Sequence, residues 1–230
     1  MKNLIVIGDS WPAGNELENP HKDAFPVKIK EELGFDNVIN LAEGGSSLQH
    51  YFLQIKKFYT IKKLYPHHSK YELLVCMTSC VRDLYFDEAG QPNEIIPTDR
   101  SKIEFYAKMF NYPETAKLFW YRTVFMMQNW ARQNGIKDHF VQMFETPPMD
   151  ADYNAIIDFK SVYAGARTNM AAILSEKAGD VYDESFKLHH GARIPHGSTT
   201  YQKYFAPSHF HPNILGHQEI ANEIIKFMHR

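Results

Sequence analysis

Cysteine is scarce: the 230 residues hold two, Cys76 and Cys80. Four residues of extended chain span about 13 Å, too far for a disulfide, so the pair reads as reduced, buried thiols of a cytosolic protein. Two cysteines without a second pair also make no zinc site of the usual kind. Long apolar runs are missing. Nothing approaches the roughly 20 residues that a membrane helix needs, and the N-terminus lacks the apolar segment of a secretory signal. The expectation is a cytoplasmic protein with no membrane partner. Excess charge of one sign is missing too: 25 Lys and Arg stand against 27 Asp and Glu, a formal net charge of −2. That excludes the basic footprint of a general nucleic-acid binder. Repeats, low-complexity tracts and linkers are absent, so 1–230 is expected to form a single domain with one sizeable core. The 16 Phe and 13 Tyr argue against disorder.

What is present alternates between short apolar strands and amphipathic helices. Leu4-Ile5-Val6-Ile7 reads as a buried strand that stops at Gly8-Asp9-Ser10. Phe25, Ile29 and Leu33 fall at helical spacing over 24–33, with Gly34 as a stop, and 37–41 is a second strand. A helix is expected over 46–64, with Leu48, Phe52, Ile55 and Tyr59 at helical spacing, then a strand over 71–77. The stretch 86–134 is longer than a crossover helix requires. It reads as a polar loop over 90–100 and aromatic-rich helices over 102–110 and 115–133, an insertion at the sheet edge. A fourth strand over 139–144, a helix best seen over 162–177, a short edge strand over 179–183, a long polar loop over 185–207 and a last helix over 213–228 complete the chain. The last helix carries Ile214, Ile220, Ala221, Ile224, Ile225 and Met228 as its apolar stripe.

The chemistry concentrates at the two ends of the chain. A strand that ends in a tight turn carrying a hydroxyl suits a nucleophile, because ligands of open α/β sheets sit at the carboxyl ends of strands. Gly8 permits the turn, Asp9 anchors the loop and Ser10 faces the cleft. A serine needs a base, usually a histidine. The far end supplies candidates in Ser208-His209-Phe210-His211-Pro212-Asn213, with Gly216-His217 behind. The loop Glu43-Gly44-Gly45-Ser46 is either a plain turn or a site where a backbone N–H meets a developing oxyanion, a donor worth roughly 3–4 kcal/mol. His67-His68 and the histidines of 185–207 fit no metal-ligand spacing, so no metal is expected.

These blocks resemble the SGNH/GDSL hydrolase family: Gly8-Asp9-Ser10 as block one, Asn40 to Ser46 as block two, and His211-Pro212-Asn213 as block five. The resemblance implies a three-layer α/β/α sandwich with a mostly parallel, flavodoxin-like sheet. It implies an ester hydrolase that works without a cofactor on a small-molecule or carbohydrate ester. Ser10 is then the nucleophile and His211 the base, with His209 as the alternative base. Gly45 (Gly44 in reserve) and Ser10 supply oxyanion donors, and His217 is structural. Two positions depart from the family. Block three, usually Gly-x-Asn-Asp, reads Met77-Thr78-Ser79-Cys80, which leaves Ser79 nearest the oxyanion Asn and Arg82 close behind. Three residues before His211, where the family keeps an aspartate that orients the imidazole, stands Ser208. A Ser–His dyad using the backbone carbonyl near Ser208 is the favoured repair. Ser208 or His209 acting on the ring, or a distant carboxylate such as Asp180 or Asp183, are the others.

The expected function is therefore a serine esterase acting through an acyl-enzyme. The rival is a catalytically inactive module of the same fold that binds a glycan or a protein. A nucleotide-binding protein is weaker, because Gly8 to Pro12 lacks an amide-rich phosphate cradle. This abbreviated set of blocks also occurs in bacteriophage members of the family, so bacterial and phage-encoded origins both stay open.

Overall fold

A computed structural model describes residues 1–65, 69–79, 83–86, 92–95, 112–144, 155–166, 168–180, 198–206 and 211–229. Four parallel strands form the main sheet: β1 (Lys2–Ile7), β2 (Asn37–Asn40), β3 (Lys70–Met77) and, numbered below, β6 (Lys137–Gln142). Their spatial order is β2-β1-β3-β6. The remaining strands, β4 (Asp83–Phe86) and β5 (Pro92–Ile95), pair with each other antiparallel. The helices are α1 (Ser10–Ala13), α2 (Pro20–Asp23), α3 (Phe25–Glu32), α4 (His50–Lys62), α5 (Tyr112–Gln133), α6 (Met170–Ala178), α7 (Thr199–Tyr204) and α8 (Ile214–Met228).

Side chains alternate across a strand, and that alternation builds two cores. Leu4 and Val6 of β1, with Leu74 and Cys76 of β3, face one side, where Phe25 and Ile29 of α3, Leu174 of α6, Tyr201 and Tyr204 of α7 and Ile220 and Ile224 of α8 cover them. Ile5 and Ile7, with Leu73, Val75 and Met77, face the other, under Tyr51, Ile55 and Phe58 of α4 and Trp120, Val124 and Met127 of α5. The result is the α/β/α sandwich expected from the motifs. A sheet buried on both faces explains why its central strands β1 and β3 carry unbroken apolar runs over 4–7 and 73–77.

Several elements differ from the sequence reading. The helix expected over 162–177 begins only at Met170. Asn169 caps it by accepting from Ala172 N at 2.9 Å, while Val162 bridges Phe140 and lengthens the sheet edge. In α4 the buried face is Tyr51, Gln54, Ile55 and Phe58; Phe52 and Tyr59, expected on the stripe, are 38% and 44% exposed. In α8 Ile214 is exposed and His217 is buried in its place. The loop expected over 90–100 contains β5, whose Pro92 sits at the strand's first position, where a missing N–H costs little. The long loop over 185–207 contains α7, capped by Ser198. At 179–183, Gly179 closes α6 in a left-handed conformation and 181–183 lie outside the described residues. The helix expected over 102–110 and the pair His67-His68 lie outside them as well. No helix among the described residues is long and apolar enough to cross a membrane.

One polar cluster ties three strands together at the end of the sheet away from Ser10. Glu72 Oε2 lies 3.0 Å from His139 Nε2, and its Oε1 lies 3.2 Å from Lys2 Nζ. Burial raises the Glu72 carboxyl, but the His139 hydrogen bond and the Lys2 contact outweigh it and hold the group at about 2. Its stabilising contribution is complete above the ordinary value of 4.5 and drains away as pH falls toward 2. The wild type is expected to lose about 2 kcal/mol more stability than Glu72→Gln between pH 7 and pH 3, measured by urea unfolding. Equal losses would contradict this assignment.

Candidate active site

The sheet order places a topological switch point between β1 and β3. The chain leaves β1 toward β2 on one side and returns to β3 on the other, opening a crevice at the carboxyl ends of the two strands. Ser10 stands at the end of β1 and Ser79 at the end of β3, both buried. Asp9 caps α1, with Oδ1 accepting from Trp11 N at 3.1 Å, and its Oδ2 accepts from Thr78 Oγ1 at 2.7 Å. A fully buried carboxylate thus joins the two loops that flank the crevice.

A second device comes from α4, and the sequence reading missed it. Gln54 is buried and clamps the backbone of Gly8: Gly8 N donates to Oε1 at 2.9 Å, and Nε2 donates to Gly8 O at 2.8 Å. The same Nε2 reaches Ser46 Oγ at 3.0 Å, which ties the Gly8-Asp9-Ser10 loop to the glycine loop. One turn earlier, Tyr51 Oη donates to Cys76 O at 2.6 Å and accepts from Thr78 N at 2.8 Å. Only glycine fits at position 8, since a Cβ there would lie 2.6 Å from Pro12 Cγ and 2.9 Å from Cys76 Cβ. Polar residues at i and i+3 of a buried helix face were the available signal.

Gly45 takes a left-handed φ of 82° in the turn closed by Ser46 N on Glu43 O. Gly44 is packed by Asn15: a Cβ there would come 2.5 Å from Asn15 Nδ2. Asn40, at the end of β2, holds the other flank by donating to Pro12 O at 2.7 Å. Cys76 is fully buried, and burial, reinforced by Asp9, pushes its thiol well above the ordinary value, so it is no nucleophile.

The His-Pro-Asn block is a rigid corner. Asn213 Oδ1 accepts from Gly216 N at 3.0 Å, which caps α8, while Asn213 Nδ2 donates to Lys203 O at 3.0 Å at the end of α7. Gly216 has no room for a side chain, because a Cβ would sit 2.3 Å from Tyr204 O. Pro212 bridges Phe205, and the Phe205 ring packs 5.6 Å from the Trp11 indole. The corner carrying His211 is thereby docked on the helix that Ser10 begins. Behind it, His217 Nδ1 accepts from Phe25 N at 3.2 Å. Burial first, then Lys28 and His211, push His217 down to about 3, so it stays neutral. This is a structural histidine.

His211 Nδ1 lies 3.0 Å from Glu16 Oε1, at ion-pair distance rather than as an aligned hydrogen bond. Glu16 belongs to the loop after α1 and adopts a left-handed φ of 70°, which costs a non-glycine residue about 1–2 kcal/mol. Of the distant carboxylates weighed for His211, Asp180 is engaged elsewhere, accepting from Thr200 N at 2.6 Å and from its hydroxyl at the head of α7. Asp183, Ser208, His209, Cys80 and Arg82 lie outside the described residues. No cluster of metal-ligating side chains occurs among the described residues.

Replacing Gln54 by Leu leaves the buried Gly8 amide without its acceptor and the Gly8 carbonyl with only Glu43 N, at 3.3 Å. Gln54→Leu is expected to lose about 2–4 kcal/mol of unfolding free energy in urea. A loss below about 0.5 kcal/mol, the range of an ordinary surface change, would show that the clamp contributes nothing.

No protein-family model matches the chain, and no curated protein is similar to it in sequence. Its structure is similar to solved SGNH and GDSL hydrolases. With TesA it shares 14% identity at a TM-score of 0.47, over 98% of this chain and 97% of that one. With a member of the lipolytic G-D-S-L family from Veillonella parvula the values are 15% and 0.46, over the whole of both chains. With the acetyl xylan esterase AlAXEase they are 12% and 0.43, over 97% and 98%. These are likenesses of fold, and they assign no role to any residue here.

Proposed function

We propose that the chain is a serine hydrolase that cleaves an ester through an acyl-enzyme. The observation that carries this reading is the placement of Ser10: a buried hydroxyl at the head of α1, over the β1/β3 switch point, with the His211 corner docked on the same helix through Trp11 and Phe205. Ser10 Oγ attacks the ester carbonyl carbon while His211 Nε2 takes its proton. The tetrahedral oxyanion is held by the backbone N–H of Ser10, which has no intrahelical acceptor at the first position of α1, and by that of Gly45. The Ser79 hydroxyl at the end of β3 is a third donor. Collapse breaks the C–O bond, and His211 returns its proton to the leaving alkoxide. Water, activated by His211, then resolves the acyl-Ser10 ester and regenerates the hydroxyl. Asp9 holds the loop and takes no part in proton transfer. The substrates in view are small acyl or acetyl esters, those on carbohydrates included, and no cofactor enters the reaction.

The second reading, a binding module of the same fold, is favoured by the serines at 79 and 208, where the resembled family keeps catalytic Asn and Asp. Hydrolysis of a short-chain activated ester separates the two. Ser10→Ala and His211→Ala are each expected to lose on the order of 10³-fold or more in kcat/KM. Equal rates in all three proteins, or none in any, would count against the hydrolase and favour the binding module.

A further inference from the structure

The geometry points to Glu16 as the positioning residue of His211, a carboxylate supplied from the nucleophile's own loop. Its catalytic meaning rests on the serine-hydrolase reading; the pairing itself rests on geometry. The Glu16 backbone is on the surface, yet its side chain is only 23% exposed because it turns inward onto His211, itself 24% exposed. The turn that aims it is held on both sides. Asn15 N donates to Ser10 O at 3.1 Å and its amide packs on Gly44, while Leu17 N donates to Gly14 O at 3.2 Å and its side chain is buried. Between these fixed neighbours Glu16 is kept at φ 70°, where a glycine would be the unstrained choice. Strain retained at a residue whose side chain meets the candidate base is what a functional constraint produces.

Among the described residues, Glu16 from the loop after α1 and His217 from α8, which is neutral, face His211. The single charge presented to the ring by these two is therefore negative, and it stands at Nδ1. A carboxylate there keeps the proton on Nδ1, leaves the Nε2 lone pair for the Ser10 proton, and stabilises the imidazolium formed during attack. Ser208, in the position of the resembled family's acid, has no carboxylate to do this. Nucleophile and orienting acid then move as one loop, anchored by Asp9 and Asn15.

The test uses the full chain labelled with 15N-histidine, and the variants Glu16→Gly and Glu16→Gln. Glycine suits the left-handed backbone, so Glu16→Gly removes the carboxylate without adding strain. The His211 signals, assigned by their loss in His211→Asn, are read at mildly alkaline pH. The wild type is expected as the Nδ1–H tautomer and Glu16→Gly as the Nε2–H tautomer that free imidazole prefers. In ester hydrolysis, kcat of Glu16→Gly falls on the order of 10²-fold, short of the roughly 10⁴-fold of a fully buried triad acid, while KM changes less than about twofold. Added formate restores part of the lost kcat, and Glu16→Gln retains more activity than Glu16→Gly. An unchanged tautomer, or an unchanged kcat in an active enzyme, overturns the proposal. If no protein in the set hydrolyses an ester while the tautomer still follows Glu16, the pairing stands and the hydrolase reading falls.

Discussion

The molecule turns on the grip that Gln54 has on Gly8. At the end of β1 the chain must leave the sheet, and both peptide groups of Gly8 are buried there. Gln54 pairs with both groups at once through a single side chain, since a primary amide can donate and accept in parallel, and Glu43 N shares the carbonyl at 3.3 Å. The residue it grips can be only glycine, because β3 and Pro12 approach too closely for a Cβ. From this fixed point the Ser10 hydroxyl is set at the head of α1. The Gln54 bond to Ser46 then transmits the same fixed reference to the glycine loop.

Around that grip, the site is assembled from short polar links between elements that the two apolar cores hold rigid. Asp9 to Thr78 spans β1 and β3, Tyr51 spans α4 and β3, and Asn40 spans β2 and α1. Each link satisfies buried backbone or carboxylate groups that would otherwise be costly. The histidine corner is fixed differently, by Asn213 capping and by ring packing of Phe205 on Trp11. Precision in the site therefore comes from the sheet and from α4, while the corner depends on aromatic contact.

The sequence made some of this legible and hid the rest for identifiable reasons. Strands β1 and β3 were legible because the centre of a sheet covered on both faces needs continuous apolar residues. The Gly8-Asp9-Ser10 and His211-Pro212-Asn213 blocks were legible because their spacing is local. Gln54 and Tyr51 were not. On an amphipathic pattern a polar residue reads as solvated, and the helix face turned out rotated so that Phe52 and Tyr59 point outward. The helix expected from residue 162 failed because Val162 belongs to the sheet edge and Asn169 supplies the true cap. Glu16 was hidden most deeply. It lies at the opposite end of the chain from His211, and nothing in its neighbours' spacing marks a left-handed turn at a glutamate.

The central claim is that Ser10 is an activated nucleophile, and covalent trapping tests it most directly. The full chain would be treated with an alkyl fluorophosphonate, which reacts with activated serines and leaves ordinary hydroxyls alone, and the adduct located by intact-mass and peptide mass spectrometry. The account predicts one phosphonyl group per chain, on Ser10. No adduct, or one on another residue, would contradict it.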